Sequence, residues 1–311
     1  MSTAFVFPGQ GSQFVGMMKE YLEVYPSIEA VYQVANDALG YDLRGICLNG
    51  PIEDLNKTAI TQPALLASSY AIWKVWCENR AERPTLLAGH SLGEYSAMVA
   101  ASVLKFEDAI RLVAYRGELM QQAVPEGVGA MAAVLGLDDQ SVVDICAAVA
   151  KRTNTVVSAV NFNSPGQVVI AGVTESVALA GQELKAAGAK KVMPLPISVP
   201  CHCDLMKGAG DKLAQFIDGL EVNAPQIPVI QNYTADFCND PEIIKKNLVA
   251  QLYSPVLWTQ SVLKMQDMCI TKVIECGVGK VLTGLTKRVS KSFECDGLAT
   301  PESIGALVID V

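Results

Sequence analysis

Ser91 lies in LLAGHSLGEYSAM, residues 86–98, between glycines at positions 89 and 93. A serine in that spacing has two chemical readings. As a nucleophile it occupies a sharp turn from strand into helix, where the glycines let backbones pass closely and the free N–H groups of the helix N-terminus favour developing negative charge. As a structural residue it caps the helix. Chance supplies Gly-x-Ser-x-Gly in roughly one chain in ten of this length, so the motif alone does not decide between them.

A serine hydroxyl needs a general base near neutrality, and the chain has only two histidines. His90 adjoins Ser91, and neighbours leaving a strand point in opposite directions, so it is poorly placed to reach the hydroxyl. His202 remains, in SVPCHC at 198–203. Cys201 and Cys203 beside it raise the question of metal, but ligands at adjacent positions do not converge readily on one tetrahedral ion, and no second ligand pair lies nearby in the sequence. The reading is a Ser91–His202 dyad without metal. No acidic third member is identifiable, and a backbone carbonyl can orient the ring equally well.

Arg116 is the third candidate. At 100° per residue it falls within about 60° of Ala109, Leu112, Val113, Leu119 and Met120, in the middle of the apolar stripe of its helix. A guanidinium there is expensive unless paired, so either an acid from another helix meets it or it clamps a substrate carboxylate.

The elements that must position these residues read as α/β grammar. A strand at 4–7 runs into a Gly-rich loop, GQGSQ at 9–13. That loop is not a phosphate loop, because Phe14 and Met17 stand where dinucleotide and P-loop motifs need Gly and Lys. A helix spans 63–76 with Pro63 at its first turn, followed by a strand at 85–89 and helices at 91–101 and 108–123. From 127 to 198 the order becomes strand 130–136, helix 141–151, strand 155–162, turn 163–166, strand 167–171, helix 175–189 and strand 191–197. This βαββαβ order is ferredoxin-like and implies a small domain at 127–198, inserted into a large domain of 1–126 and 199–311. Helices at 206–220 and 241–252 and a strand at 272–275 complete the large domain.

Half of the 311 residues are apolar, and a formal charge of −8 excludes general nucleic-acid binding. No charge-free apolar stretch is long enough to span a membrane, and the first residues lack a secretion signal. Nine scattered cysteines read as reduced thiols in a cytoplasmic protein, with a monomer as the expected state.

Seven segments in order, FPGQGSQ (7–13), TQPA (61–64), GHSLGEY (89–95), YRG (115–117), NFNSPGQ (161–167), SVPCHC (198–203) and QLY (251–253), resemble the malonyl-CoA:acyl carrier protein transacylases of bacterial type II fatty acid synthesis. The resemblance implies an α/β-hydrolase-like large domain carrying the ferredoxin-like insert. It implies Ser91 as acylated nucleophile, His202 as its base held by the backbone carbonyl of Gln251, and Arg116 with Gln62 on the malonyl carboxylate. The backbone N–H groups of Gln10 and Leu92 would form the oxyanion hole. Malonyl-CoA and acyl carrier protein would be the partners, with coenzyme A entering as part of a substrate and no cofactor required. Cys201 departs from the small residue or Ser expected there. Because such carriers are acidic, the basic group Lys280, Lys287, Arg288 and Lys291 is the expected docking surface; otherwise it is a solvated helix face. Two rivals remain at this level: a serine esterase or thioesterase using the same dyad, and a non-catalytic carrier-binding protein.

Overall fold

The first strand divides its side chains between two apolar layers. Ala4 and Val6 join a cluster containing Trp258 and Val262, while Phe5 and Phe7 face the opposite layer. There the Phe5 ring meets Trp73 and Trp76 edge-on, at centroid distances of 5.8 and 5.1 Å. Burial on both faces explains an apolar run without polar alternation.

The computed structural model describes residues 2–125, 127–197 and 199–307. Its strands are β1 (Ser2–Phe7), β2 (Leu86–Gly89), β3 (Gly129–Leu135), β4 (Val157–Ser164), β5 (Gln167–Val173), β6 (Lys191–Pro194), β7 (Val229–Gln231), β8 (Asp236–Phe237), β9 (Ile270–Glu275) and β10 (Glu294–Gly297). They form a six-stranded sheet in the order β10-β9-β1-β2-β7-β8 and a four-stranded sheet in the order β4-β5-β3-β6. The first is parallel except for β8, and the second is antiparallel throughout. Phe162 of β4 donates its N–H to the Val256 carbonyl and Val256 donates to Val160, which binds the small sheet to the chain following β7. Among the described residues no helix is long and apolar enough to cross a membrane.

Three sequence expectations need correction. Pro63 lies inside a helix that runs from Thr58 to Asn79, not at its start. The ring removes the bond that residue 63 would give the Ala59 carbonyl, but burial on nearly all sides holds the helix regardless. The helix 106–122 backs onto the same turn, and a Cβ on Gly117 would lie 2.7 Å from Ala59 Cα. Second, Asn163 and Ser164 belong to β4 rather than to a turn. The reversal is confined to Pro165 and Gly166, with Gly166 at φ 71°. Third, the strand expected over 191–197 ends at Pro194. Glu126 and Ser198, at the edges of the expected insert, lie outside the described residues.

Gly93 has no room for a side chain. A Cβ there would lie 1.9 Å from the Phe7 carbonyl oxygen, and a Cβ on Gly89 would lie 1.9 Å from the Gly93 carbonyl carbon. These glycines let the helix Leu92–Ala100 rise directly off the ends of β1 and β2. Gly93→Ala is expected to lower stability by about 3 kcal/mol through overpacking. Gly208→Ala, in a helix position with nothing within 4 Å, should raise it slightly through helix propensity. Urea unfolding midpoints of the two variants check the contrast.

Candidate active site

Gln10, Ser91 and Asn232 follow the carboxyl ends of three neighbouring parallel strands, β1, β2 and β7, where open α/β sheets present their functional groups. Ser91 sits on the turn from β2 into the helix Leu92–Ala100 with φ 52° and ψ −108°, a conformation unfavourable for a side chain with a Cβ. Its hydroxyl does not cap that helix. The Ser91 N–H donates instead to Asn232 Oδ1 at 2.6 Å, and Asn232 Nδ2 donates to the Gly89 carbonyl at 2.6 Å. The strained turn is pinned from both sides.

Ser91 Oγ lies 2.8 Å from His202 Nε2. The other ring nitrogen, Nδ1, is 2.7 Å from the Gln251 carbonyl, and the His202 backbone N–H donates to the Leu252 carbonyl. Both carbonyls belong to the last turn of the helix Pro241–Tyr253, where they lack partners within the helix. Because a carbonyl only accepts, Nδ1 carries the proton and Nε2 presents its lone pair to the serine. The negative end of that helix also favours a positive ring once the proton has moved. Burial, followed by the Arg116 charge, pushes the His202 pKa down to about 3.

Arg116 is 1% exposed on the helix Phe106–Gln122, in line with Ala109, Leu112, Val113, Leu119 and Met120, all buried. Among the described residues no carboxylate forms an ion pair with it, so the acid that would have given Arg116 a purely structural role is missing. It donates to Gln62 Oε1 at 2.7 Å, to Gln251 Oε1 at 3.0 Å and to Ser91 Oγ at 3.3 Å. Its Nε is buried without a partner, and the guanidinium stands over the Tyr95 ring at 5.3 Å. A planar cation with donors to spare therefore faces the serine.

The cavity holding these groups is also lined by Gln10, Leu92, Met120, Met131, Asn161, Ile197 and Cys201. Among the described residues the backbone N–H groups of Gln10 and Leu92 make no hydrogen bond. Gly9 brings the first of them in, since a Cβ there would lie 2.4 Å from the His90 carbonyl oxygen. Lys280, Lys287, Arg288 and Lys291 do not reach the cavity. They are exposed on and around the helix Val281–Val289. Arg288 donates to Gln167 Oε1 at 2.6 Å, and Gly279 lies beside Ser12 of the Gln10 loop.

Sequence reasoning passed over Glu94, which is wholly buried and accepts from the Asn232 N–H, Gln251 Nε2 and Gln231 Nε2. Burial raises its pKa to about 7, against the pull of those donors and of Arg116. The usable signal was an acid within the apolar helix 92–100, the same kind of misfit that marked Arg116. Reasoning also passed over Asn163, whose Oδ1 is 2.8 Å from His90 Nε2. That bond turns His90 away from Ser91 and toward the small sheet.

A strained serine with a carbonyl-held imidazole on its oxygen and a helix N-terminus behind it can form and break acyl esters. Fold and site together define the class, an acyl-transfer enzyme. The chain belongs to the acyl transferase domain family, whose model matches residues 4–309, and within it to the malonyl CoA-acyl carrier protein transacylases. It is 52% identical to the malonyl CoA-acyl carrier protein transacylase of Escherichia coli K12 over 303 residues, 97% of each chain. It superposes on an acyl carrier protein S-malonyltransferase from Vibrio cholerae with a TM-score of 0.96 and 54% identity, covering 98% of this chain and 99% of that one. A malonyl-transacylase solved in complex with a type II PKS acyl-carrier protein matches equally well, at TM-score 0.96, 50% identity and 98% of both chains.

The depressed His202 pKa has a kinetic signature. Loading of Ser91 by a small neutral ester such as p-nitrophenyl acetate should keep its rate from about pH 8 to about pH 5, because the base stays unprotonated throughout. An inflection near the ordinary imidazole pKa of about 6.5 that persists in Glu94→Gln, which removes the carboxyl titrating at about 7, would contradict it. Single-turnover release of p-nitrophenol across that range is the measurement.

Proposed function

We propose that this protein transfers a malonyl group from malonyl-CoA to the phosphopantetheine thiol of an acyl carrier protein through a malonyl ester on Ser91. The observation that carries the reading is Arg116, buried without a carboxylate partner among the described residues and 3.3 Å from Ser91 Oγ. A neutral acyl group gives that guanidinium nothing to bind, whereas the free carboxylate of malonate completes it. This separates the reading from a general esterase. The names of the relatives in the family support the donor and acceptor.

In the first half-reaction Ser91 Oγ attacks the thioester carbonyl while His202 Nε2 takes its proton. The oxyanion forms against the N–H groups of Gln10 and Leu92, and the malonyl carboxylate rests on Arg116 with Gln62 holding the other side of the guanidinium. Collapse breaks the carbon–sulfur bond, and His202 returns the proton to the departing coenzyme A thiolate. In the second half the carrier thiol gives its proton to His202 and attacks the ester, and Ser91 leaves with the proton restored. Two chemically similar steps at one serine predict ping-pong kinetics. The reaction as written needs no group beyond the two thiol carriers. A carboxylate docked on Arg116 also offsets the charge that depresses His202, so the acyl group that fits the clamp makes its neighbouring base stronger.

The large sheet with its helices, 1–126 and 199–311, is read as α/β-hydrolase-like, and 127–198 as a ferredoxin-like insert. The order β4-β5-β3-β6 and the packing of helices Asp139–Thr153 and Thr174–Ala186 on one face support the latter. Nine unpaired cysteines support a reducing, cytoplasmic setting.

Intact-mass spectrometry after mixing with malonyl-CoA tests the proposal. A single malonyl adduct is expected, absent in Ser91→Ala. Arg116→Ala should lower the malonyl-to-acetyl loading ratio by about a hundredfold, the scale of a lost charged hydrogen-bond pair. No adduct on the native protein would refute the assigned reaction, and an unchanged ratio would refute the clamp.

The exposed cations Lys280, Lys287, Arg288 and Lys291 lie on and around the helix that follows Gly279, which itself sits beside Ser12 of the Gln10 loop, and are assigned to carrier docking. Reversing two of them should raise the carrier KM several-fold at low salt, with the difference shrinking as salt screens it. Malonyl-CoA loading in the absence of carrier serves as the control.

A further inference from the structure

Gln251 makes contacts with three groups whose hydrogen-bonding roles are fixed. Its Nε2 donates to the Ser91 carbonyl at 2.9 Å and to Glu94 Oε2 at 2.8 Å, and its Oε1 accepts from Arg116 at 3.0 Å. The Ser91 carbonyl only accepts and the Arg116 guanidinium only donates, so the amide has one allowed orientation, which leaves an N–H for the Glu94 oxygen to accept. Turned over, it would point two N–H groups at a buried cation. Glu94 is in turn held by the Asn232 N–H at 2.8 Å and by Gln231 Nε2 at 3.3 Å, while Gln231 Oε1 accepts from Asn247 at 2.8 Å. Glu94, Gln231, Asn232 and Gln251 have no exposure, and Glu94 touches neither the cavity nor Ser91 Oγ.

We propose that Glu94 is a positioning residue for acyl-group selectivity: its acceptor oxygen fixes the Gln251 amide, which aims the Arg116 guanidinium at the carboxylate of the acyl group. The inference rests on the malonyl reading above. The same carboxylate also touches the dyad's supports, since Asn232 holds the Ser91 N–H. A merely structural Glu94 would therefore lower loading of every acyl group alike. A positioning Glu94 acts on the charged group in particular, because only that group uses Arg116.

What the amide needs from position 94 is an acceptor, and this makes the conservative variant informative. In Glu94→Gln the new Oε1 can accept from Gln251 and Asn232 while its NH2 turns toward Gln231, whose own amide reverses to meet it, with the Asn247 amide turning over in step so that its Oδ1 accepts from Gln231 Nε2. In Glu94→Met no acceptor remains.

The test is the ratio of malonyl to acetyl loading of Ser91, taken as kcat/KM with the two CoA thioesters. Glu94→Met is expected to lower this ratio by about tenfold or more, mainly through the malonyl KM, and Glu94→Gln should keep it within about threefold of the native value. Gln251→Met should lower the ratio as Glu94→Met does, and carries the test if Glu94→Met does not fold. A ratio that survives Glu94→Met, or survives Gln251→Met, overturns the proposal, as does a fall in Glu94→Gln as large as in Glu94→Met. The native protein separates the two levels: failure of malonyl-CoA to load Ser91 sinks the reaction, whereas normal loading with an unmoved ratio in the variants sinks only the role of Glu94.

Discussion

A buried guanidinium that no carboxylate touches among the described residues is the constraint around which the rest of the site is built. Leaving such a charge uncompensated inside a protein costs several kcal/mol. Here compensation arrives at one remove: Gln62 and Gln251 accept from the N–H groups, and a buried acid, Glu94, stands behind Gln251. Direct pairing would have filled the face of Arg116 that the cavity needs. Putting a neutral amide between the charges keeps that face open and still shares the field. The helix 106–122 can carry the cation because Gly117 lets it press against the turn at Ala59, which brings Gln62 within 2.7 Å.

Gln251 joins this charge network to the chemistry. Its backbone carbonyl sets the tautomer of His202, its side chain orders Arg116, and its Nε2 holds the carbonyl of the strained Ser91. Ser91, His202 and Arg116 thus share one support at the end of one helix. The last-turn carbonyls of that helix, which every helix leaves unsatisfied, are the groups that receive the histidine.

Ser91, His202 and Arg116 were legible in the sequence because each violates a local expectation: a serine between crowding glycines, a histidine with no rival base, a cation on an apolar stripe. The short central strands of the large sheet were legible as apolar runs. Of its later strands β9 was read at 272–275, whereas β7, β8 and β10 were not, since they have 3, 2 and 4 residues, too few to show a period. Pro63 misled for a physical reason, since a proline's preference for the first turn is overridden when the whole helix is buried. Asn163 was taken for a turn residue by type, yet in β4 it is the partner of His90. The Gln251 side chain and Asn232 carry no pattern of their own, because their importance lies in whom they meet across 160 and 141 residues of chain.

The placement of the small sheet follows from the same contacts. The segment that forms it leaves the chain after the helix carrying Arg116 and returns just before His202, so the two strongest polar groups of the site flank it in sequence. β4 is an edge strand, and it spends that edge on Val256 instead of on solvent, with Thr259 donating to the Phe162 carbonyl beside it. This docks Met131 and Asn161 over the cavity as its far wall. One wall therefore carries Gln10 and Ser91 after strand ends of the large sheet, Gln62 and Arg116 on helices and His202 after the small sheet, and the other comes from β3 and β4, which supply Met131 and Asn161. Ser91, His202 and Arg116 all stand on the first wall, so changes to Met131 and Asn161 can reshape the cavity without moving the Ser91–His202 hydrogen bond.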